Sequence, residues 1–320
     1  LKKLSITDND TKIILNNLLL DNKNKIIKID KLDLNYIDVE NKKNQLLLLK
    51  NKKDSYEMKG SIFNANSLIS NLLINKKNDQ KNKIFNNDIN LIINLAEVYM
   101  DEKVTVKNLK GKINFKDNKV YQTNVSGLFD SNEHLTFTIV TNKSEKITTL
   151  FSSRAKPLVK RYNFIKGYEG GYLDFYSSKK DDVSKSILKI YDFKLNELPT
   201  LTKLLTLASL QGIADILSGE GIRFDEFEMN FNNRGNLTTI DEIYAIGPSI
   251  SILMNGYVEN DKLVSLRGTL VPATTINKII SNIPFLGKIL VGNKTGEGVF
   301  GVSFKIKGSP KNLITTVNPI

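Results

Sequence analysis

Apolar and polar residues alternate along much of the chain, in short stretches broken by Gly, Asn, Asp or Lys clusters. A period of two predicts strands with one dry face and one wet face. The pattern is clearest near the end, where Phe300, Val302, Phe304 and Ile306 share one parity and Gly301, Ser303, Lys305 and Lys307 the other. Leu135, Phe137 and Ile139 alternate in the same way with His134, Thr136 and Thr138. Ile113 with Phe115, Ile250 with Ile252 and Met254, and Val264 with Leu266 and Leu270 read similarly. The runs predict about sixteen strands, near residues 26–39, 44–50, 55–62, 88–98, 103–127, 133–151, 170–194, 222–271 and 299–317, several of these spans being hairpins. Asp117-Asn118 and Asn260-Asp261 are turn dipeptides between alternating runs, which favours antiparallel neighbours and a meander. Between Ile222 and Phe231 the parity slips, with Ile222 and Phe224 followed by Phe227, Met229 and Phe231, so a bulge is expected near Asp225.

Helical signals are sparse. Residues 64–75, 153–164 and 273–282 suit short helices. The longest candidate is 197–217, with Pro199 in its first turn and Gly219 and Gly221 after its end. Leu198, Leu201, Leu204, Leu205, Ala208, Ile213 and Ile216 make a wide apolar stripe, while Lys203, Gln211 and Asp215 keep it from reading as a membrane span. It is expected to lie across a sheet, either as a lid or as an ordinary covering helix. A soft boundary near 152–169 separates an Asn-rich first half from a second half richer in Gly and Pro, giving segments 1–165 and 166–320.

The expected fold class is therefore mainly β, a long twisted antiparallel sheet with a few short helices. Alternation alone leaves two architectures open: an open hydrophobic groove, or a β-sandwich whose apolar faces pack on each other. The scarcity of helices to cover a sheet and the absence of tryptophan both lean toward the groove. Sixteen strands at about 4.8 Å spacing would give a trough of roughly 75 Å.

Composition narrows the function. Of the 320 residues, 40% are hydrophobic and 25% charged, as in an ordinary folded chain. The net charge of +12 would suggest nucleic acid. However, arginine occurs only at Arg154, Arg161, Arg223, Arg234 and Arg267, the rest of the 46 basic residues being lysines spread along the chain. Arginine is the residue suited to bidentate reading of phosphate and guanine, so nucleic acid is not expected as a partner. Attraction to an anionic membrane surface stays open. The chain has no cysteine, hence no disulfide, thiolate nucleophile or cysteine metal site. It starts at Leu1 without a signal-like or transmembrane run, so it is expected to be a piece of a longer protein.

Catalytic chemistry is poorly represented. His134, the single histidine, falls on the polar parity of its strand and reads as solvent-facing. Gly296, Gly298 and Gly301 satisfy GxGxxG spacing but precede an alternating strand rather than a helix. GKILVGNKT, residues 287–295, resembles a P-loop with Asn293 inserted before the lysine, which moves it out of register. Carboxylates at Asp181-Asp182, at Asp225, Glu226 and Glu228, and at Asp241-Glu242 could supply a glycosidase pair, though no spacing marks two as facing each other. Neither a metal nor a cofactor is expected.

The stretch DFKLNELPTLTKLLTLASLQGIADILSGEGIRFDEFEMNF, residues 192–231, resembles the AsmA-like C-terminal region of YhdP-like envelope proteins of proteobacteria. That family shows an apolar helix after a P-x-L start, a small-residue stretch and then a strand. Gly247-Pro248-Ser249, Gly256, Pro272, Pro284-Phe285-Leu286-Gly287, Gly308 and Asn318-Pro319 match its later punctuation. The match is specific over 185–320, and over 1–170 only the strand-rich character agrees. The resemblance implies a periplasmic protein anchored in the inner membrane of a Gram-negative bacterium, similar to bridge-like lipid-transfer proteins. Its β-groove would bind phospholipid acyl chains and conduct them between inner and outer membrane, without catalysis. Groove residues would be Leu135, Phe137, Ile139, Ile250, Ile252, Met254, Phe300, Val302, Phe304 and Ile306, and lid residues Leu198, Leu201, Leu204, Leu205 and Ala208. The alternative is a structural envelope protein that serves outer-membrane assembly without moving lipid.

Overall fold

The computed structural model describes residues 1–22, 26–52, 54–73, 88–116, 119–130, 132–160, 166–197, 202, 204–206, 221–260, 262–272, 301–310 and 312–319. The chain divides into two compact units, Leu1–Ser153 and Arg154–Ile320.

In the first unit β1 (Lys3–Asp8) and β2 (Thr11–Asn16) form a hairpin, and the small β3 (Leu19–Leu20) and β4 (Ile26–Lys28) form another. Then follow β5 (Lys31–Ile37), β6 (Lys43–Lys52), β7 (Ser55–Asn64), α1 (Asn66–Leu73), β8 (Ile89–Tyr99), β9 (Thr105–Lys116), β10 (Lys119–Leu128), β11 (His134–Asn142) and β12 (Glu145–Ser152). β2 pairs next with β5, and from there each strand pairs with its successor. All pairs are antiparallel except β7 with β8. The expected meander is corrected there. A parallel pair requires the connection between its strands to lead back to the end where β7 begins, and α1 lies in that connection. The β1–β2 hairpin was not expected either, because Ile13, Ile14 and Leu15 put apolar residues on both parities of β2.

In the second unit the short α2 (Lys156–Val159) precedes β13 (Lys166–Lys180), β14 (Val183–Glu197), β15 (Ile222–Arg234), β16 (Leu237–Ile246), β17 (Ile250–Glu259), β18 (Leu263–Pro272), β19 (Val302–Ser309) and β20 (Asn312–Pro319). Here every strand pairs antiparallel with the next, a true meander. Among the described residues β1 does not pair with β12, nor β13 with β20, so each unit is an open sheet. The predicted 197–217 helix is described only at 202 and 204–206, which are helical, and 273–282 lies outside the described residues.

The parity slip near Asp225 takes an unexpected form. The ladder passes from Tyr191↔Glu226 to Phe193↔Phe224, stepping over Asp192 and Asp225 together. Both strands switch parity at once and register is kept. The register shift in β15–β16 comes later, between Asn230 and Phe231, with Asp241 as the extra residue.

A polar joint anchors the parallel crossover. Asn44 is 1% exposed; its Nδ2 donates to Asp38 Oδ2 (2.9 Å) and Lys42 O (3.1 Å), and its Oδ1 accepts the Asn64 N–H (2.8 Å). Asn64 Nδ2 donates to Asp38 (2.8 Å) and Glu40 (2.9 Å), and its Oδ1 accepts the Asn66 N–H (3.1 Å) at the start of α1. The buried amide satisfies itself only because three segments meet on it. Replacing it would strand the Asn64 N–H and the Asp38 carboxylate. Asn44→Ala is expected to lower unfolding stability by about 2 kcal/mol in urea melts, more than Asn9→Ala in the exposed β1–β2 turn.

Candidate functional site

Residues directly opposite in a ladder share a face, so register decides which side chains form a continuous surface. In the second unit one row runs Phe175, Leu188, Met229, Ile243, Met254, Gly268, Phe304, Val317 across all its strands. The next row on that face runs Leu173, Ile190, Phe227, Ala245, Ile252, Leu270, Val302, Pro319. The intervening row, on the other face, is polar except at Leu253: Asp174, Lys189, Glu228, Tyr244, Leu253, Thr269, Ser303, Asn318. At strand spacing the apolar rows extend on the order of 35 Å.

The first unit repeats the arrangement. Leu4, Leu15, Leu32, Leu48, Met58, Ile93, Gly111, Val125, Phe137 and Leu150 stand in one row from β1 to β12. Many members of these rows are only half-buried, among them Leu48, Ile93, Phe137, Leu188, Met229, Ile252 and Met254. Leaving so much aligned apolar surface partly wet is unfavourable unless something covers it.

Part of that cover is supplied by the chain. In the first unit Leu18, just before β3, and Ile26 of β4 pack with Leu15, Leu32, Leu48, Leu91 and Phe115 against Ile29, Tyr56 and Ile89. Ile69 of α1 packs with Leu46, Met58, Ile93 and Leu109 against Ala65, Leu95 and Val98.

The expected groove residues fall as follows. Leu135, Phe137 and Ile139 share the apolar face of β11, with Leu135 and Ile139 buried. Ile252 and Val302 meet through Leu270, and Met254 and Phe304 through Gly268, so β17 and β19 contribute to one surface although they do not touch as strands. Ile250, Phe304 and Ile306 are buried, and Ile252, Met254 and Val302 half-buried. Phe300 lies outside the described residues, as do Leu198, Leu201 and Ala208 of the expected lid; Leu204 and Leu205 are buried. Sequence reasoning missed Leu173, Phe175, Leu188, Ile190 and Phe227. The run Tyr172, Leu173, Asp174, Phe175, Tyr176 carries rings on both parities and conceals the apolar one.

Gly268 is the point where two of these side chains meet. A Cβ there would lie 2.7 Å from Met254 Cγ and 2.7 Å from Phe304 Cζ. The Phe304 ring therefore lies over a backbone gap that only glycine leaves open.

At one end of the second unit's face stands an aromatic column. Tyr168 stacks on Phe193 (5.5 Å between centroids), Phe193 on Phe224 (5.4 Å), and Phe193 meets Phe227 edge-on at 6.5 Å. The switch at Asp192 and Asp225 brings Phe193 and Phe224 round to Phe227's side. The Tyr168 hydroxyl is buried and has no hydrogen-bond partner. Burial raises its pKa, so it stays a protonated donor. An unpaired buried hydroxyl costs about 1–3 kcal/mol.

The polar face holds one dense cluster. Glu228 accepts from Lys189 Nζ (2.7 Å), Asn230 Nδ2 (2.8 Å) and the Tyr244 hydroxyl (2.7 Å), and Tyr244 also lies 3.1 Å from Glu226. Burial would raise the Glu228 pKa, but the three hydrogen bonds together hold it below the usual carboxylate value. Tyr244 is pushed up by burial and by its carboxylate neighbours. Of the carboxylates named as hydrolase candidates, only Glu226 and Glu228 are brought together here, and they sit two apart on one extended strand. Asp181 and Asp182 are exposed in the β13–β14 turn, and Asp241 pairs with Asn232. His134 is exposed.

Among the described residues, no group of three or more His, Asp or Glu is placed to hold a metal ion, and no helix is long and apolar enough to cross a membrane. No family model, curated protein or solved structure matches the chain.

Two outcomes follow from the geometry. Gly268→Ala is expected to cost about 1–3 kcal/mol in chemical denaturation, because the Leu253 carbonyl oxygen stands in the way of a Cβ and Phe304 and Met254 must move as well. Since Glu228 has a lower pKa folded than unfolded, its contribution is full above its ordinary value of 4.5 and is lost as pH falls through the folded value. Thermal melts followed from neutral pH down into the acid range should therefore fall less steeply in Glu228→Gln than in the parent protein.

Proposed function

We propose that this protein binds lipid acyl chains along the apolar faces of its open sheets and conducts phospholipid between two membranes, as the AsmA-like resemblance implies. The observation that carries this reading is the pair of apolar rows crossing every strand of the second unit, half-buried at Phe175, Leu188, Met229, Ile252 and Met254. A closed core would bury such rows throughout, whereas here Leu173, Ile190, Ile243, Ala245, Leu270 and Phe304 are buried and their neighbours in the rows are not. A surface that waits for a hydrocarbon partner leaves them part-wet. An acyl chain loses about 0.8 kcal/mol for each CH₂ left in water, so a carrier must shield it without a gap, and a row spanning consecutive strands provides that. Gly268 keeps the surface smooth where Phe304 folds across it. In this reading the work is binding and transfer, with no covalent step. The setting is the periplasm, with an inner-membrane anchor elsewhere in the protein.

A second reading, a structural envelope protein without lipid traffic, is favoured by the covers on the first unit, where the β3–β4 region and α1 pack on the apolar face.

Mass spectrometry of organic extracts decides between them. Purified protein is expected to carry phospholipid, and Ile252→Asp to lose it by about tenfold or more, since a carboxylate beside an acyl chain is strongly disfavoured. Ser265→Asp, on the polar face between Tyr257 and Lys307, should retain it. A lipid-free parent protein, or full lipid in a folded Ile252→Asp variant, would overturn the transport reading.

A further inference from the structure

We propose that the Tyr168 hydroxyl is a lipid anchor: it donates a hydrogen bond to an oxygen at the polar end of an acyl chain lying on the second unit's apolar face. This rests on the acyl-binding reading and adds the point at which the chain is held.

Three observations converge on it. Tyr168 is only 4% exposed, yet its hydroxyl has no hydrogen-bond partner. Buried phenols ordinarily find one, and an orphan at a buried site calls for a specific reason. Second, the ring is joined to the apolar rows. It stacks on Phe193, which meets Phe227, and Phe227 stands in the row of Leu173, Ile190, Ala245, Ile252 and Leu270. A chain running along that row arrives at the column. Third, space is reserved for the hydroxyl. A Cβ on Gly171 would lie 2.6 Å from it, and Gly171 has a φ of +76°, a conformation that L side chains rarely adopt. The phenol oxygen thus rests over a backbone bare of side chain, at the end of a hydrocarbon surface.

A protonated phenol donates to an acceptor, so the recognised group is an acyl oxygen, either the carboxylate of a free fatty acid or the carbonyl of an ester. A pure hydrocarbon would gain nothing from it. The Phe193 and Phe224 rings provide the apolar wall, and Tyr168 adds direction, fixing which end of the chain lies at this end of the sheet.

The test is Tyr168→Phe, which keeps the ring and removes only the hydroxyl. Displacement of 1-anilinonaphthalene-8-sulfonate by dodecanoate, methyl dodecanoate and dodecane is measured on both proteins, with thermal melts alongside. The expected result is about tenfold weaker binding of an oxygen-bearing probe, unchanged binding of dodecane, and a melting temperature equal to or above the parent's. Weakening of dodecanoate alone assigns a free carboxylate, and weakening of the ester as well assigns a carbonyl; either supports the anchor. Equal affinities of both proteins for both oxygen-bearing probes overturn the anchor while leaving acyl binding intact. A lower melting temperature also overturns it, because the hydroxyl would then have an internal partner. Failure of every probe to bind the parent protein overturns the anchor together with the acyl-binding reading.

Discussion

Cross-strand register is the constraint on which the rest of this protein depends. Side chains alternate faces along a strand, so a slip of one residue would send an entire apolar set to the wet face. The second unit holds register through seven successive antiparallel pairings, and only for that reason do Phe175 at one side and Val317 at the other stand in a single row. Where the sequence departs from strict alternation, the fold absorbs it locally. Asp192 and Asp225 are passed over together so that neighbouring strands change parity in step, and Asp241 is taken up as one extra residue. The first of them also brings Phe193 and Phe224 to the side where they stack in line with Tyr168 and where Phe193 meets Phe227.

The two faces of the second unit differ in the contacts that hold them. On the polar side, Glu228 is held by Lys189, Asn230 and Tyr244, and these bonds link β14, β15 and β16 across the ladder. Such charge-assisted bonds tie three neighbouring strands together on that face. The apolar side holds buried residues, Leu173, Ile190, Ile243, Leu270 and Phe304 among them, beside partly exposed ones such as Leu188, Ile252 and Met254.

The polar joint at Asn44 illustrates a different economy. A meander needs only tight turns, but the β7-to-β8 crossover needs a helix-bearing connection, and its landing point must be fixed. Asn44, Asn64, Asp38 and Glu40 fix it with hydrogen bonds among side chains from three segments. The same crossover places α1 on the apolar face, so the first unit carries part of its own cover.

Much of the sheet was legible in the sequence. Alternation at 133–151, 222–271 and 299–317 placed strands where β11, β12, β15 to β18, β19 and β20 lie, and it put Ile252 with Met254, and Phe304 with Ile306, on the dry parity of their own strands, because a period of two is a local property of the chain. It failed at β2 and at Tyr172–Tyr176, where apolar residues occupy both parities and no local rule says which is buried. What the tertiary structure alone decided is which residues from distant stretches stand side by side. The parallel pairing of β7 with β8, the meeting of Met254 and Phe304 over Gly268, and the approach of Tyr168 to Phe193 and Gly171 all depend on pairing choices between segments that no single stretch encodes. The sequence determined a chain of two-faced strands; hydrogen-bonded register between them determined that their dry faces form continuous rows, and that an unpaired phenol ends one of them.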